Sequence, residues 1–125
     1  MSTQTPEGLY SLPAGADLST SQYCAIVVNT SGQVVLPSAG VKAHGILQNL
    51  PKSGEDARFY ANGRVLKAKA GTGGVTVGAK VSVDAAGAMI TNGATGAVFE
   101  GIALDAVAAG AIFRLLQIAD LGTHA

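Results

Sequence analysis

The residues able to carry acid–base, nucleophilic or metal chemistry are few: two histidines, one cysteine and eight carboxylates in 125 residues. A catalytic site needs several such groups converging with tuned pKa values. His44 stands alone, and His124 is next to the last residue, where chains fray. With no His-x-x-x-His or Cys-x-x-Cys spacing, the two make a poor metal site. Cys24 lies inside the apolar run Tyr23–Val28, the place of a small buried hydrophobe rather than of a reactive thiol. As the only cysteine, it excludes an internal disulfide. Glu55 and Asp56 are adjacent, so an extended chain points them apart, and Lys52-Ser53-Gly54-Glu55-Asp56 reads as a solvated turn. Gly71-Thr72-Gly73-Gly74 looks like a phosphate cradle only superficially. A cradle opens a helix, whereas here Val75-Thr76-Val77 continues as a strand, so the glycines read as a flexible connector. Asn29-Thr30-Ser31 fits a glycosylation acceptor by chance. No catalytic, cofactor-binding or metal residue is assigned, and no enzyme activity is expected.

The elements that would position any such group are β-strands. Charged residues make up only 13% of the chain, about half the usual share. Seventeen glycines are too many for a helical protein, and Val, Ile and Leu dominate the large apolar side chains, as strands prefer. A surface of few charges and many small residues suits one that neighbours cover. Eight basic and eight acidic residues cancel, and without a basic patch no nucleic-acid partner is expected. The polar start, Met1 to Gly8, lacks the features of a signal peptide. Glu100, Asp105 and Gly110 interrupt the most apolar stretch, Ala97 to Leu116, which argues against a membrane span. Synthesis and retention in a cytosol are expected.

An internal repeat organises the sequence. Ile26-Val27-Val28-Asn29-Thr30-Ser31-Gly32-Gln33-Val34-Val35 matches Val81-Ser82-Val83-Asp84-Ala85-Ala86-Gly87-Ala88-Met89-Ile90. Further on, His44-Gly45-Ile46-Leu47 meets Glu100-Gly101-Ile102-Ala103, Gly54 meets Gly110, and Arg58 meets Arg114. Each copy predicts a strand, a turn opened by Asn29 or Asp84 and closed by Gly32 or Gly87, a short second strand, a third strand and a last one. Gly45 or Gly101, inside the third, marks a bulge or a close backbone approach. His44 and Glu100 are then both expected at an exposed position beside that glycine, and Arg58 and Arg114 are structural charges. Asn62-Gly63 between apolar runs predicts a hairpin. Val75, Val77, Ala79, Val81 and Val83 alternate with polar or small residues as a strand would, with Gly78 a possible turn. Ala103 to Ala111 has room for a short helical turn.

The expected fold is all-β, a compact sandwich or barrel. One β domain, 23–125, holds two similar modules, about 23–70 and 78–118. Ahead of it an extended N-terminal arm, 1–22, carries Leu9, Tyr10, Leu12 and Leu18 as apolar anchors for a sister subunit or a partner protein.

The run Gln22-Tyr23 to Leu36, then His44-Gly45-Ile46-Leu47-Gln48-Asn49-Leu50-Pro51 with Gly54-Glu55, resembles the first half of tailed-phage head-decoration proteins. Val77-Gly78-Ala79-Lys80-Val81, Asp84-Ala85-Ala86-Gly87, Gly101-Ile102-Ala103-Leu104 and Gly110 resemble the second half. The resemblance spans about Gln22 to Leu116 and implies a capsid cement protein. It implies binding, commonly as a homotrimer, to the outer surface of an assembled virion through the major capsid protein. It implies stabilisation of that shell and no catalysis. The competing reading is a ligand- or carbohydrate-binding β module on a virion or cell surface. Such sites expose aromatic platforms, and this chain has no Trp, three Tyr and three Phe, with Phe59, Phe99 and Phe113 in strand patterns expected in the core. A small hydrolase or isomerase is the remotest reading.

Overall fold

The computed structural model describes residues 9–60, 65–91 and 100–117. These hold ten strands: β1 (Leu9–Pro13), β2 (Ala25–Val28), β3 (Val34–Val35), β4 (Gly45–Leu47), β5 (Asp56–Tyr60), β6 (Val65–Lys69), β7 (Lys80–Val83), β8 (Met89–Thr91), β9 (Gly101–Ala103) and β10 (Ile112–Gln117). No helix occurs among the described residues, so Ala103 to Ala111 makes no helical turn. The strands form two five-stranded sheets, ordered β1-β5-β4-β2-β3 and β6-β10-β9-β7-β8. Adding five to each strand number of the first sheet gives the second. The duplication read from the residues is therefore a duplication of whole sheets, and the all-β, two-module architecture holds.

The turn chemistry repeats atom for atom. Asn29 Oδ1 accepts the amides of Ser31 and Gln33, both at 3.0 Å. Asp84 Oδ1 accepts those of Ala86 at 2.9 Å and Ala88 at 3.0 Å. Gly32 and Gly87 close the two turns at φ 74° and 80°, the left-handed region that glycine enters without steric cost. Replacing Asp84 with Ala removes both side-chain bonds and is expected to cost about 1 kcal/mol, as loss of a helix-capping oxygen does. A urea midpoint unchanged from the parent would show that the backbone alone holds the turn.

The segment expected to be an arm becomes extended structure at Leu9. Leu9–Pro13 forms β1, paired in register with Tyr60 back to Asp56. Its counterpart β6 pairs with β10 in the same way. Beyond β1 the match continues. Ala14 bridges Val34 as Ala70 bridges Met89, and the amides of Gly15 and Gly71 donate to Val34 and Met89 oxygens at 2.8 and 2.7 Å. By this matching β1 belongs to the first sheet as β6 belongs to the second. Gly71-Thr72-Gly73-Gly74 is accordingly a turn inside the second half, not a link between halves. The Asn62-Gly63 turn lies outside the described residues, but the flanking strands form no hairpin. β5 has β1 and β4 on its two sides, and β6 pairs with β10 in the other sheet.

Two apolar cores result. The first gathers Ala14, Leu18, Ile26, Val34, Leu47, Ala57 and Phe59. The second is built on Leu66, Val81, Met89, Phe113 and Leu115, and it also takes Ala25, Ala43 and Ile46 from the first module, with Tyr60 packed against it. Alternate residues of β2 and β4 thus face different cores. That is why Gly45, Ile46 and Leu47 are all buried, a pattern of sheets covered on both faces. Full burial of Ile46 alone contributes about 1.5–3 kcal/mol. The glycine read as a close approach is one: a Cβ at Gly45 would lie 2.5 Å from the Tyr60 carbonyl oxygen and 2.8 Å from Phe59 Cδ2.

Candidate interaction surface

Several polar contacts cross the junction between modules. The Ala25 amide donates to Gly87 O at 2.6 Å, the Gly40 amide to Val83 O at 3.0 Å, and the Lys69 amide to Tyr23 O at 2.9 Å. Lys67 Nζ lies 5.8 Å from the centre of the Tyr23 ring. Glu100 reaches from the second module to the first: its Oε2 accepts the Ala43 amide at 2.8 Å, and its Oε1 is 3.3 Å from Lys42 Nζ. Burial raises the Glu100 carboxyl above the usual range, while the Ala43 amide and then Lys42 pull it back.

The expectation that His44 and Glu100 are both exposed therefore holds for His44 only. Their backbones are equivalent, with His44 N donating to Ile26 O and Glu100 N to Val81 O, each at 2.9 Å. Glu100 is 0% exposed because the other module covers its position. His44 is at the surface and its Nδ1 accepts the Val28 amide at 2.8 Å.

The remaining singled-out groups have structural surroundings. Cys24 is buried, and desolvation raises its thiol, opposed by Lys69 and reinforced by Asp84. Glu55 Oε1 accepts the Lys52 amide at 2.7 Å, closing the turn that holds it. Arg58 and Arg114 share one device: Asn49 Oδ1 accepts the Arg58 amide at 3.0 Å, and Asp105 Oδ2 accepts the Arg114 amide at 2.9 Å. Asp105 also grips the Arg114 guanidinium through both oxygens, at 2.8 and 3.0 Å. Those hydrogen bonds lower the Asp105 carboxyl to about 2. Among the described residues, no three His, Cys, Asp or Glu side chains gather as a metal site, and no helix is long and apolar enough to cross a membrane. His124 and Phe99 lie outside the described residues.

The four residues expected as capsid or subunit anchors have different surroundings. Leu18 is enclosed by the first core, and Leu12 packs against it. Tyr10 remains at the surface, stacked on Phe59 with ring centres 5.8 Å apart. Leu9 pairs with Tyr60 through the backbone. Tyr23 was read only as the head of an apolar run. It is the one described non-glycine residue with positive φ, 65°, and its counterpart is Gly78 at 82°. The offset that aligns Ile26 with Val81 aligns these two, so the signal was available.

Apolar side chains remain exposed on the outer face of the second sheet. Leu116 pairs with Val65 on one side and Ile102 on the other, and Ile102 pairs with Lys80. Val65 is 51% exposed, so this row of β6, β10, β9 and β7 is offered to solvent or to a partner. The family model described as phage cement protein matches residues 7–118. The chain belongs to the phage cement protein family. A cement protein is a structural, virion-associated protein rather than an enzyme. The N base of the head fiber gp8.5 of bacteriophage phi29 shares the fold, with a TM-score of 0.74 at 12% identity over 88% of this chain and 94% of that one. No curated protein sequence matches.

Proposed function

We propose that this cement protein binds the outer surface of an assembled phage capsid, as a homotrimer contacting the major capsid protein, and stabilises the shell. The observation that carries the reading is the family match across residues 7–118. The surface is consistent with it: Leu50, Val65 and Val77 are each more than half exposed, in a chain of low charge. Such contacts resist salt better than exposed ion pairs, which screening weakens. A trimer spanning several capsid subunits engages three contacts at once, and linked contacts bind about 10²–10⁴ times more tightly than one. Only the assembled lattice presents all three, so a free capsid subunit binds poorly. A ligand of the intact state stabilises that state by mass action. The test heats DNA-filled capsids with and without saturating protein and records DNA release, after co-sedimentation has fixed the copy number. A higher release temperature is expected. Equal temperatures at full occupancy would leave decoration without cementing.

A further inference from the structure

The internal seam joins a donor face of the first module to a receiving face of the second. Ala25, Ile46 and Tyr60 supply the donor face, and they pack into the second core. Leu66, Gly87 and Glu100 belong to the receiving side, and all three are buried. Because the modules are equivalent, each face has a second copy elsewhere in the chain. The donor counterparts are Lys80, Ile102 and Leu116; register confirms the match, since Ile46 pairs with Tyr60 and Ala25 as Ile102 pairs with Leu116 and Lys80. The receiving counterparts are Tyr10, Gly32 and His44.

Both second copies are unfilled. Ala25 and Ile46 are fully buried, while Lys80 is exposed and Ile102 half-buried. Leu66 is 5% exposed but Tyr10 is 36%. A Cβ at Gly87 would strike Ala25 O at 2.5 Å, whereas one at Gly32 would meet nothing within 4 Å. One chain therefore ends in an open donor face and begins with an open receiving face of matching origin. Contacts of that kind are heterologous and close into rings or extend as filaments.

We propose that Lys80, Ile102 and Leu116 of one chain dock on Tyr10, Gly32 and His44 of a second copy, repeating the internal seam head to tail. This deepens the homotrimer reading above and rests on it. Two substitutions make the contact weaker than the internal seam. Pro13 stands where Lys69 gives its amide to Tyr23 O, so that hydrogen bond has no counterpart. Lys80 replaces Ala25, bringing a charge to the contact.

Engineered cysteines test the geometry. In the internal seam, a Cβ at Gly87 would lie 3.1 Å from Cys24 Cβ, close to the span of about 3.5–4.5 Å in disulfides. The counterparts are Gly32 and Ala79. Gly32→Cys and Ala79→Cys are made in separate chains, both carrying Cys24→Ala, and mixed at high concentration under mild oxidation. A disulfide-linked pair forming only in the mixture is expected. No link, or equal linking of either variant with itself, overturns the proposal. Light scattering gives a second measurement that needs no strained cysteine. Leu116→Glu is expected to shift the mass to the 12.4 kDa monomer, and Leu50→Glu, off the proposed face, to leave the oligomer intact. A monomeric parent at 100 µM overturns the proposal, as does a Leu116→Glu oligomer. Capsid co-sedimentation of the same proteins separates this from the functional reading: an oligomer that binds capsids but fails the cysteine test sinks the contact alone.

Discussion

Alanine at Gly87 is expected to cost far more stability than alanine at Gly32, although the two glycines close equivalent turns at nearly the same φ. Either substitution places an L-residue in the left-handed region, a penalty of about 1–2 kcal/mol. At Gly32 that is all, because the new methyl group meets nothing within 4 Å. At Gly87 the methyl group would lie 2.5 Å from Ala25 O and 3.1 Å from Cys24 Cβ. The oxygen is backbone and cannot rotate aside. β2 must move off the second module, stretching the bond from the Ala25 amide to Gly87 O. Overpacking of this kind adds about 1–3 kcal/mol, so the Gly87 variant loses a large part of the roughly 5–15 kcal/mol typical of a whole domain. Urea unfolding of both variants, dilute enough to suppress self-association, measures the gap. Equal midpoints would mean that β2 does not rest on the Gly87 turn.

The comparison shows what a repeat discloses and what it conceals. The turns were legible in the sequence because Asn29 with Gly32, and Asp84 with Gly87, are local chemistry that acts wherever it is placed. Gly45 was legible as a close backbone approach, here to the Tyr60 carbonyl. β1 was not, because Leu9-Tyr10-Ser11-Leu12-Pro13 shares little with Val65-Leu66-Lys67-Ala68-Lys69 beyond alternation. Pro13 has no amide to give, yet β1 is an edge strand, where a missing amide is tolerated. The Ala14-Gly15 and Ala70-Gly71 pairs that follow the two strands were the clue left unread. Glu100 was misread because its burial is decided by the other module. Equivalent backbone positions fix equivalent local bonds, but which face a neighbour covers depends on where the repeat stops. The same reasoning hid the hairpin error at Asn62-Gly63: a good local turn signal cannot say that both flanking strands already have other partners.

Glu100 then supplies a prediction that separates burial from pairing. Glu100→Ala removes the only side-chain acceptor shown for the Ala43 amide, and an unsatisfied buried donor costs about 1–3 kcal/mol. Lys42 loses its counter-ion as well, but its side chain is 28% exposed and reaches water, so that part adds little. Glu100→Gln keeps an acceptor for Ala43 and is expected to stay within about 1 kcal/mol of the parent at neutral pH. The pH dependence distinguishes parent from Gln variant. Desolvation raises the Glu100 carboxyl above its ordinary value of 4.5. A group raised on folding contributes stability that is fully present below the unfolded value and is lost as pH climbs through the folded one. Acidification from neutral pH towards 4.5 should therefore favour the parent over Glu100→Gln, because only the parent can neutralise its buried carboxylate. Lys42 and His44, the groups that face Glu100, are present in both proteins. Urea midpoints of the pair at several pH values between 7.5 and 4.5 give that difference directly. A gap that stays constant, or that turns against the parent as pH falls, would mean that the carboxylate is better paired with Lys42 and the Ala43 amide than its burial implies.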